Sequence, residues 1–255
     1  MPPSPDDRPL VLIVLHQETS SPGRVAHALE RLGCRLDIRR PRFGDPLPAT
    51  MAAHAGAIYF GGPMSANDGD DYVKTEIDWL AVPLKEEKPY LGICLGAQML
   101  AKHLGGRVGP HAAGMTEIGY YALTPTPVGQ ALLDWPAHVY QWHREGFDVP
   151  AGADLLASGD LFPNQAIRVG PKAFGIQFHP ELTFAMMNRW CVRAADRLLL
   201  PGAQAHSDHV RGRHMHDAPI RDWLDRFLAL WLDTPAATAT PSADAAATPA
   251  PANTG

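Results

Sequence analysis

The amino-acid sequence predicts an α/β fold: an open, mostly parallel sheet flanked by helices, with a small antiparallel β addition. Three observations predict it. Leu10-Val11-Leu12-Ile13-Val14-Leu15 is a continuous apolar run, the pattern of a strand covered on both faces, as in parallel sheets. The first hundred residues alternate strand-like and helix-like segments, which is how parallel strands are joined. After Gly105 the strands shorten and glycines and prolines become frequent, which suits antiparallel hairpins packed beside the main sheet.

In order, residues 1–8 read as a loose leader and 9–233 as one domain. The apolar run is the first strand. Gly23–Leu32 reads as a helix with Val25, Ala28, Leu29 and Leu32 on one face, stopped by Gly33. Arg35–Arg39 is a second strand, 41–48 a loop, and Ala55–Phe60 a third strand that runs into Gly61-Gly62-Pro63. A helix is expected over about 71–87, with Pro83 a point of kinking. Tyr90–Cys94 is a fourth strand, followed at once by a helix. Short strands are expected at 117–123, 139–142, 153–157, 165–169 and 173–178. A helix over 183–200, a polar loop after Pro201-Gly202 and a last amphipathic helix over 220–232 complete the domain. Residues 234–255, nearly all Ala, Pro, Thr, Ser and Asp, are expected to be a disordered tail.

Composition removes several function classes. A net charge of −5 with no basic stripe argues against nucleic acid as a partner. No apolar run approaches the roughly 18 residues of a membrane span, and the polar, acidic start is not a signal peptide. Three widely spaced cysteines, Cys34, Cys94 and Cys191, suit a reducing, cytoplasmic setting without a disulfide frame. Cys34 and Cys191 read as core. The late histidines, His206, His209, His214 and His216, have no spacing that fixes them to one helix face. They read as part of the polar loop rather than a metal site.

Chemistry concentrates at Gly92-Ile93-Cys94-Leu95-Gly96. Gly-x-Cys-x-Gly between a strand and a helix is the thiol form of the nucleophile elbow. The turn lifts the sulfur out of the sheet to a helix N-terminus, where the dipole favours thiolate. Such a nucleophile needs a base and an orienter. His179 and Glu181 in Phe178-His179-Pro180-Glu181 sit two apart in an extended segment, so both project to one side. The developing oxyanion needs donors: the Leu95 backbone N–H, and a second from the Gly61-Gly62-Pro63 turn. A plainer reading exists for each piece: a core cysteine between glycines, a His-Pro-Glu helix cap, a turn that is only a turn.

The segments Gly61-Gly62-Pro63-Met64-Ser65, Gly92–Gln98 and Gly175–Glu181 together resemble the class I (triad) glutamine amidotransferases, a flavodoxin-like fold. The nearest resemblance is to stand-alone members similar to the amidotransferase domain of GMP synthase. It covers roughly residues 10–232, and no synthetase domain is expected after the last helix. The resemblance implies that Cys94 attacks the side-chain amide of glutamine, with His179 and Glu181 completing the triad. It implies Gly62 and Leu95 as the oxyanion hole, with Gly61 and Gln98 facing the glutamine pocket. Val139-Tyr140-Gln141-Trp142-His143 resembles the segment whose backbone holds the substrate's α-amino and α-carboxylate groups, which makes Gln141, Trp142 and His143 substrate contacts. There the pattern continues His-Gly-Asp, whereas this chain reads His143-Arg144-Glu145. No metal and no cofactor is implied.

Three functions fit. The first is a glutamine amidohydrolase that feeds ammonia to a separate synthase subunit. The second is a stand-alone γ-glutamyl hydrolase or peptidase. The third is a catalytically silent binding or regulatory protein, against which the intact Cys94, His179 and Glu181 count.

Overall fold

A computed structural model describes residues 7–233 of the chain. The expected tail, 234–255, and most of the expected leader lie outside the described residues.

The elements run β1 (Leu10–Val14), α1 (Gly23–Arg31), β2 (Arg35–Arg39), β3 (Gly56–Tyr59), α2 (Asp71–Trp79), α3 (Ala81–Lys85), β4 (Tyr90–Ile93) and α4 (Leu95–His103). They continue β5 (Val108–Pro110), β6 (Glu117–Ala122), β7 (Thr124–Pro125), α5 (Pro127–Leu132), β8 (His138–His143), β9 (Glu145–Phe147) and β10 (Ala153–Ser158). The last are β11 (Ala166–Val169), β12 (Ala173–Ile176), α6 (Phe184–Arg193) and α7 (His206–Trp231).

The main sheet has eight strands in the order β2-β1-β3-β4-β12-β11-β10-β7. β2, β1, β3, β4 and β12 are mutually parallel. β11, β10 and β7 extend it antiparallel. The hairpins expected beside the sheet are therefore partly built into it. Only β5–β9 and β6–β8 stand apart, as two-stranded ribbons.

Continuous apolar strands put a core on each face. Val11, Ile13, Ile58, Leu91, Ile93, Phe174 and Ile176 face α1 and α7. Leu12, Val14, Ala57, Tyr59 and Tyr90 face α2 and α4. From α7, Trp223 stacks on Phe227 at 4.8 Å and meets Phe178 edge-on at 5.4 Å.

Three boundaries differ from expectation. The helix over 71–87 breaks at Leu80 into α2 and α3, because Pro83 has no N–H to bond the carbonyl of residue 79. The helix over 183–200 ends at Arg193 and continues only as a 3₁₀ segment, Ala195–Leu199. The polar loop before residue 220 is itself helix: α7 starts at His206 and runs through Pro219. The carbonyl that Pro219 leaves unbonded belongs to Met215, an exposed residue, so water can satisfy it. Packing overrides the polar composition. His209 is fully buried, with Nδ1 2.9 Å from Tyr140 Oη and Nε2 donating to Gln204 O at 3.1 Å. Gly212 lies so close to Tyr120 that a Cβ there would come within 2.5 Å of the ring. His216 stacks on His138 at 4.2 Å. Cys34 and Cys191 are buried, as expected of core cysteines.

Candidate active site

Cys94 follows β4 and caps the start of α4 with φ +52° and ψ −103°. Such a backbone is strained for a residue with a side chain. Its neighbours hold it there. Cys94 N–H donates to Ile176 O at 2.8 Å, and Cys94 O accepts from Gln98 N at 3.1 Å. The flanking glycines have no alternative: a Cβ on Gly92 would fall 2.4 Å from the Gly96 backbone, and one on Gly96 2.4 Å from Tyr59 O.

β12 pairs in parallel with β4, Ile176 opposite Ile93, so the segment leaving β12 emerges beside Cys94. That segment carries His179 and Glu181. His179 N–H donates to Tyr140 O at 2.8 Å, and Glu181 O accepts from Arg24 N at 2.9 Å, which fixes the loop at both ends. The His179 Nδ1 lies 2.7 Å from Glu181 Oε1, both residues buried. Trp190 closes over the imidazole edge-on at 5.1 Å. Burial alone would disfavour the imidazolium. The Glu181 carboxylate and Cys94, through charge and hydrogen bonding, outweigh it and push the His179 pKa up to about 10. Nε2 has no partner with complete hydrogen-bond geometry; nucleophile–base contacts are commonly loose before substrate arrives.

The glycine turn after β3 lies across from this couple. A Cβ on Gly61 would sit 2.8 Å from His179 Cε1 and 3.5 Å from Cys94 Cβ, and one on Gly62 3.0 Å from Leu95 Cδ2. Neither Gly62 N–H nor Leu95 N–H has an acceptor among the described residues. Two residues that the sequence did not single out set this turn. His16, at the end of β1 and fully buried, donates from Nδ1 to Gly61 O at 3.3 Å. Its Nε2 lies 2.8 Å from Glu76 Oε2 of α2. Across a trans peptide the C=O and the next N–H point oppositely, so holding Gly61 O aims Gly62 N–H the other way. A histidine at the carboxyl end of a parallel strand was the one available signal; Glu76 carried none.

The other expected contacts divide. Gln98, Trp142 and His143 line a small recess beside Cys94 together with Arg144 and Glu145. Gln98 Nε2 is already engaged, donating to Glu145 O at 2.8 Å and Gln177 Oε1 at 3.2 Å. His143 is held between Glu117 Oε2, 2.9 Å from Nε2, and Glu145 O, 3.0 Å from Nδ1. The Gln141 side chain is engaged elsewhere: it is buried and donates to Gln165 Oε1 at 2.6 Å, and it does not line the recess. Arg144 has no positive φ, so the glycine of the resembled pattern is not required here. Among the described residues no group of His, Cys, Asp and Glu is arranged to hold a metal.

A larger cleft, of about 310 Å³, opens from Cys94, His179 and the glycine turn towards α6. Cys94 and Gly62 line both this cleft and the recess, and Leu95 lines the recess. A thiol, a braced imidazole and two N–H groups without acceptors, so placed, suit acyl transfer through a covalent intermediate.

A family model described as glutamine amidotransferase class-I matches residues 15–191. The chain is 31% identical over 190 residues to the glutamine-hydrolyzing GMP synthase of Aeropyrum pernix, which covers 72% of this chain but 35% of that protein. The chain thus spans about a third of that relative's length. A crystal structure of a glutamine amidotransferase from Methylobacillus flagellatus matches with TM-score 0.81 and 28% identity, over 89% of this chain and 94% of that one. A glutamine amidotransferase from Thermotoga maritima matches with TM-score 0.80 and 26% identity, over 89% and 99%. No helix among the described residues is long and apolar enough to cross a membrane. On fold, site geometry and these relatives together, the chain belongs to the class-I glutamine amidotransferase family.

Proposed function

We propose that the protein hydrolyses the side-chain amide of glutamine, or a related γ-glutamyl amide, through Cys94, His179 and Glu181. One observation carries the reading: a buried His179, braced at 2.7 Å by Glu181 and held cationic, shares a cleft with the elbow cysteine. The imidazolium favours the Cys94 thiolate. The sulfur attacks the γ-carbonyl carbon, and the oxyanion that forms accepts from Gly62 N–H and Leu95 N–H. The C–N bond breaks as His179 gives its proton to the departing amine, leaving a γ-glutamyl thioester. His179, now neutral, takes a proton from water; the hydroxide adds to the thioester, and cleavage of the C–S bond releases glutamate. His16 and Glu76 position the donor turn without touching substrate. With glutamine the product is ammonia, which a separate synthase subunit would consume.

Two measurements test this. Cys94→Ala should abolish glutamate release while circular dichroism and thermal unfolding stay those of the parent; retained turnover rejects the mechanism. A chloroketone analogue of glutamine should alkylate Cys94. Mass spectrometry placing the label on Cys34 or Cys191 overturns the assignment.

A further inference from the structure

Ammonia is close to water in size, and a water needs roughly 10–15 Å³ of such free space. The cleft beside His179 offers about 310 Å³, far more than that leaving group needs. Its wall is chemically marked. Arg189 and Arg193, four residues apart on α6, and Arg197 in the following 3₁₀ segment all line it. Residues four apart share a helix face.

None of the three guanidinium groups has a carboxylate, hydrogen-bond or ring partner among the described residues. Nearby arginines do: Arg24 and Arg213 both pair with Asp217, at 2.7 and 3.0 Å. Among the described residues one carboxylate lines the cleft, Glu181, and it is committed to His179. In a chain of net charge −5, this is a concentrated positive wall next to the nucleophile. A cleft lined by one sign of charge draws in ligands of the other.

We propose that the cleft takes γ-glutamyl amides whose amine portion carries a carboxylate, bound by Arg189, Arg193 and Arg197 on the leaving-group side of Cys94. This rests on the amidohydrolase reading above and names its substrate class. The bonds are those already described: the sulfur joins the γ-carbonyl carbon, the C–N bond breaks, and His179 supplies the proton to the departing amine. That amine is an amino acid instead of ammonia. Arginine forks match a carboxylate bidentately. Trp142 and Trp190 supply an apolar wall for the carbon skeleton.

The test compares γ-glutamylglycine with γ-glutamylglycinamide, which differ in one negative charge, and with glutamine. The carboxylate form should have the higher kcat/KM, by about tenfold or more. The preference should shrink as salt is raised. In Arg193→Gln, and more so in the Arg189→Gln/Arg193→Gln/Arg197→Gln variant, the ratio of the two kcat/KM values should fall towards one. Because the ratio is taken within one preparation, loss of folded protein cancels. Equal kcat/KM for the two dipeptides in the parent enzyme overturns the proposal, as does a preference that survives in the triple variant. Glutamine as the best substrate, with the arginines serving instead as a seat for an acidic surface of a synthase subunit, overturns it but leaves the amidohydrolase reading standing. No turnover of glutamine or of either dipeptide overturns both.

Discussion

At Cys94 a residue with a side chain holds a backbone that usually belongs to glycine, at a cost of about 1–3 kcal/mol. The flanking glycines cannot be replaced without collision, which is why Gly-x-Cys-x-Gly could be read from the sequence. Spacing in an expected extended segment singled out His179 and Glu181, but Pro180 and Glu181 instead form a turn closed by Leu182 N–H to His179 O at 3.4 Å, and that turn brings the carboxylate to the imidazole. His16 and Glu76 were not legible. Their link joins residues sixty positions apart, and a lone histidine and a helical glutamate carry no local pattern. The Gln141 side chain was not legible either, because the partner that takes it up, Gln165, lies 24 positions away on another segment. The His16–Glu76 pair makes a prediction. Glu76→Gln keeps a hydrogen-bonding side chain but removes the charge that orients the ring, so the Gly62 donor is aimed less well. Steady-state kinetics should show kcat for glutamine hydrolysis down by about tenfold or more, with KM little changed, since a donor lost outright costs about 10²–10³. An unchanged kcat would remove His16 from the positioning of the turn.

Among the elements, α7 shows most clearly where local signals stop. Its second half was readable because Trp223, Leu224, Phe227, Leu228 and Trp231 recur at helical spacing. Its first half is polar, histidine-rich and followed by Pro219, so nothing local specified a helix. What forms it is burial of His209 and Gly212 against β6 and β8, contacts with residues far away in sequence. In the same way, α5 has a cap that could have been found, with Thr126 accepting from Gly129 N–H and a proline at the first helical position. The sheet order of β10 to β12 had no such signal, because strand pairing depends on partners and not on the strand's own residues. Trp223 is fully buried and packs on Phe227, Phe178 and Trp135. Trp223→Ala should therefore lower unfolding free energy by about 3–5 kcal/mol in urea titration. Met215→Ala, on the exposed side, should stay within about 0.5 kcal/mol. Equal effects for the two would contradict the docking of α7.

For the molecule as a whole, the raised pKa of His179 links the site to stability. Between its ordinary value of 6.5 and about 10, the folded chain keeps a proton at His179 that the unfolded chain has released. Stability from this group is full below pH 6.5 and is lost as pH rises through about 10. Urea unfolding of the parent should show stability falling across that window, and His179→Gln should flatten the fall. Identical pH profiles for parent and variant would mean the imidazolium is not held by the fold. The same whole-molecule view explains why the seam of the sheet matters. β12 lies between β4 and the antiparallel strands, so the imidazole reaches the sulfur only after the chain has left the parallel half, built the ribbons and returned. A nascent polypeptide halted before that return displays the sulfhydryl without the imidazole and carboxylate of the proposed triad, so the order of the strands itself defers completion of the site until the sheet has closed.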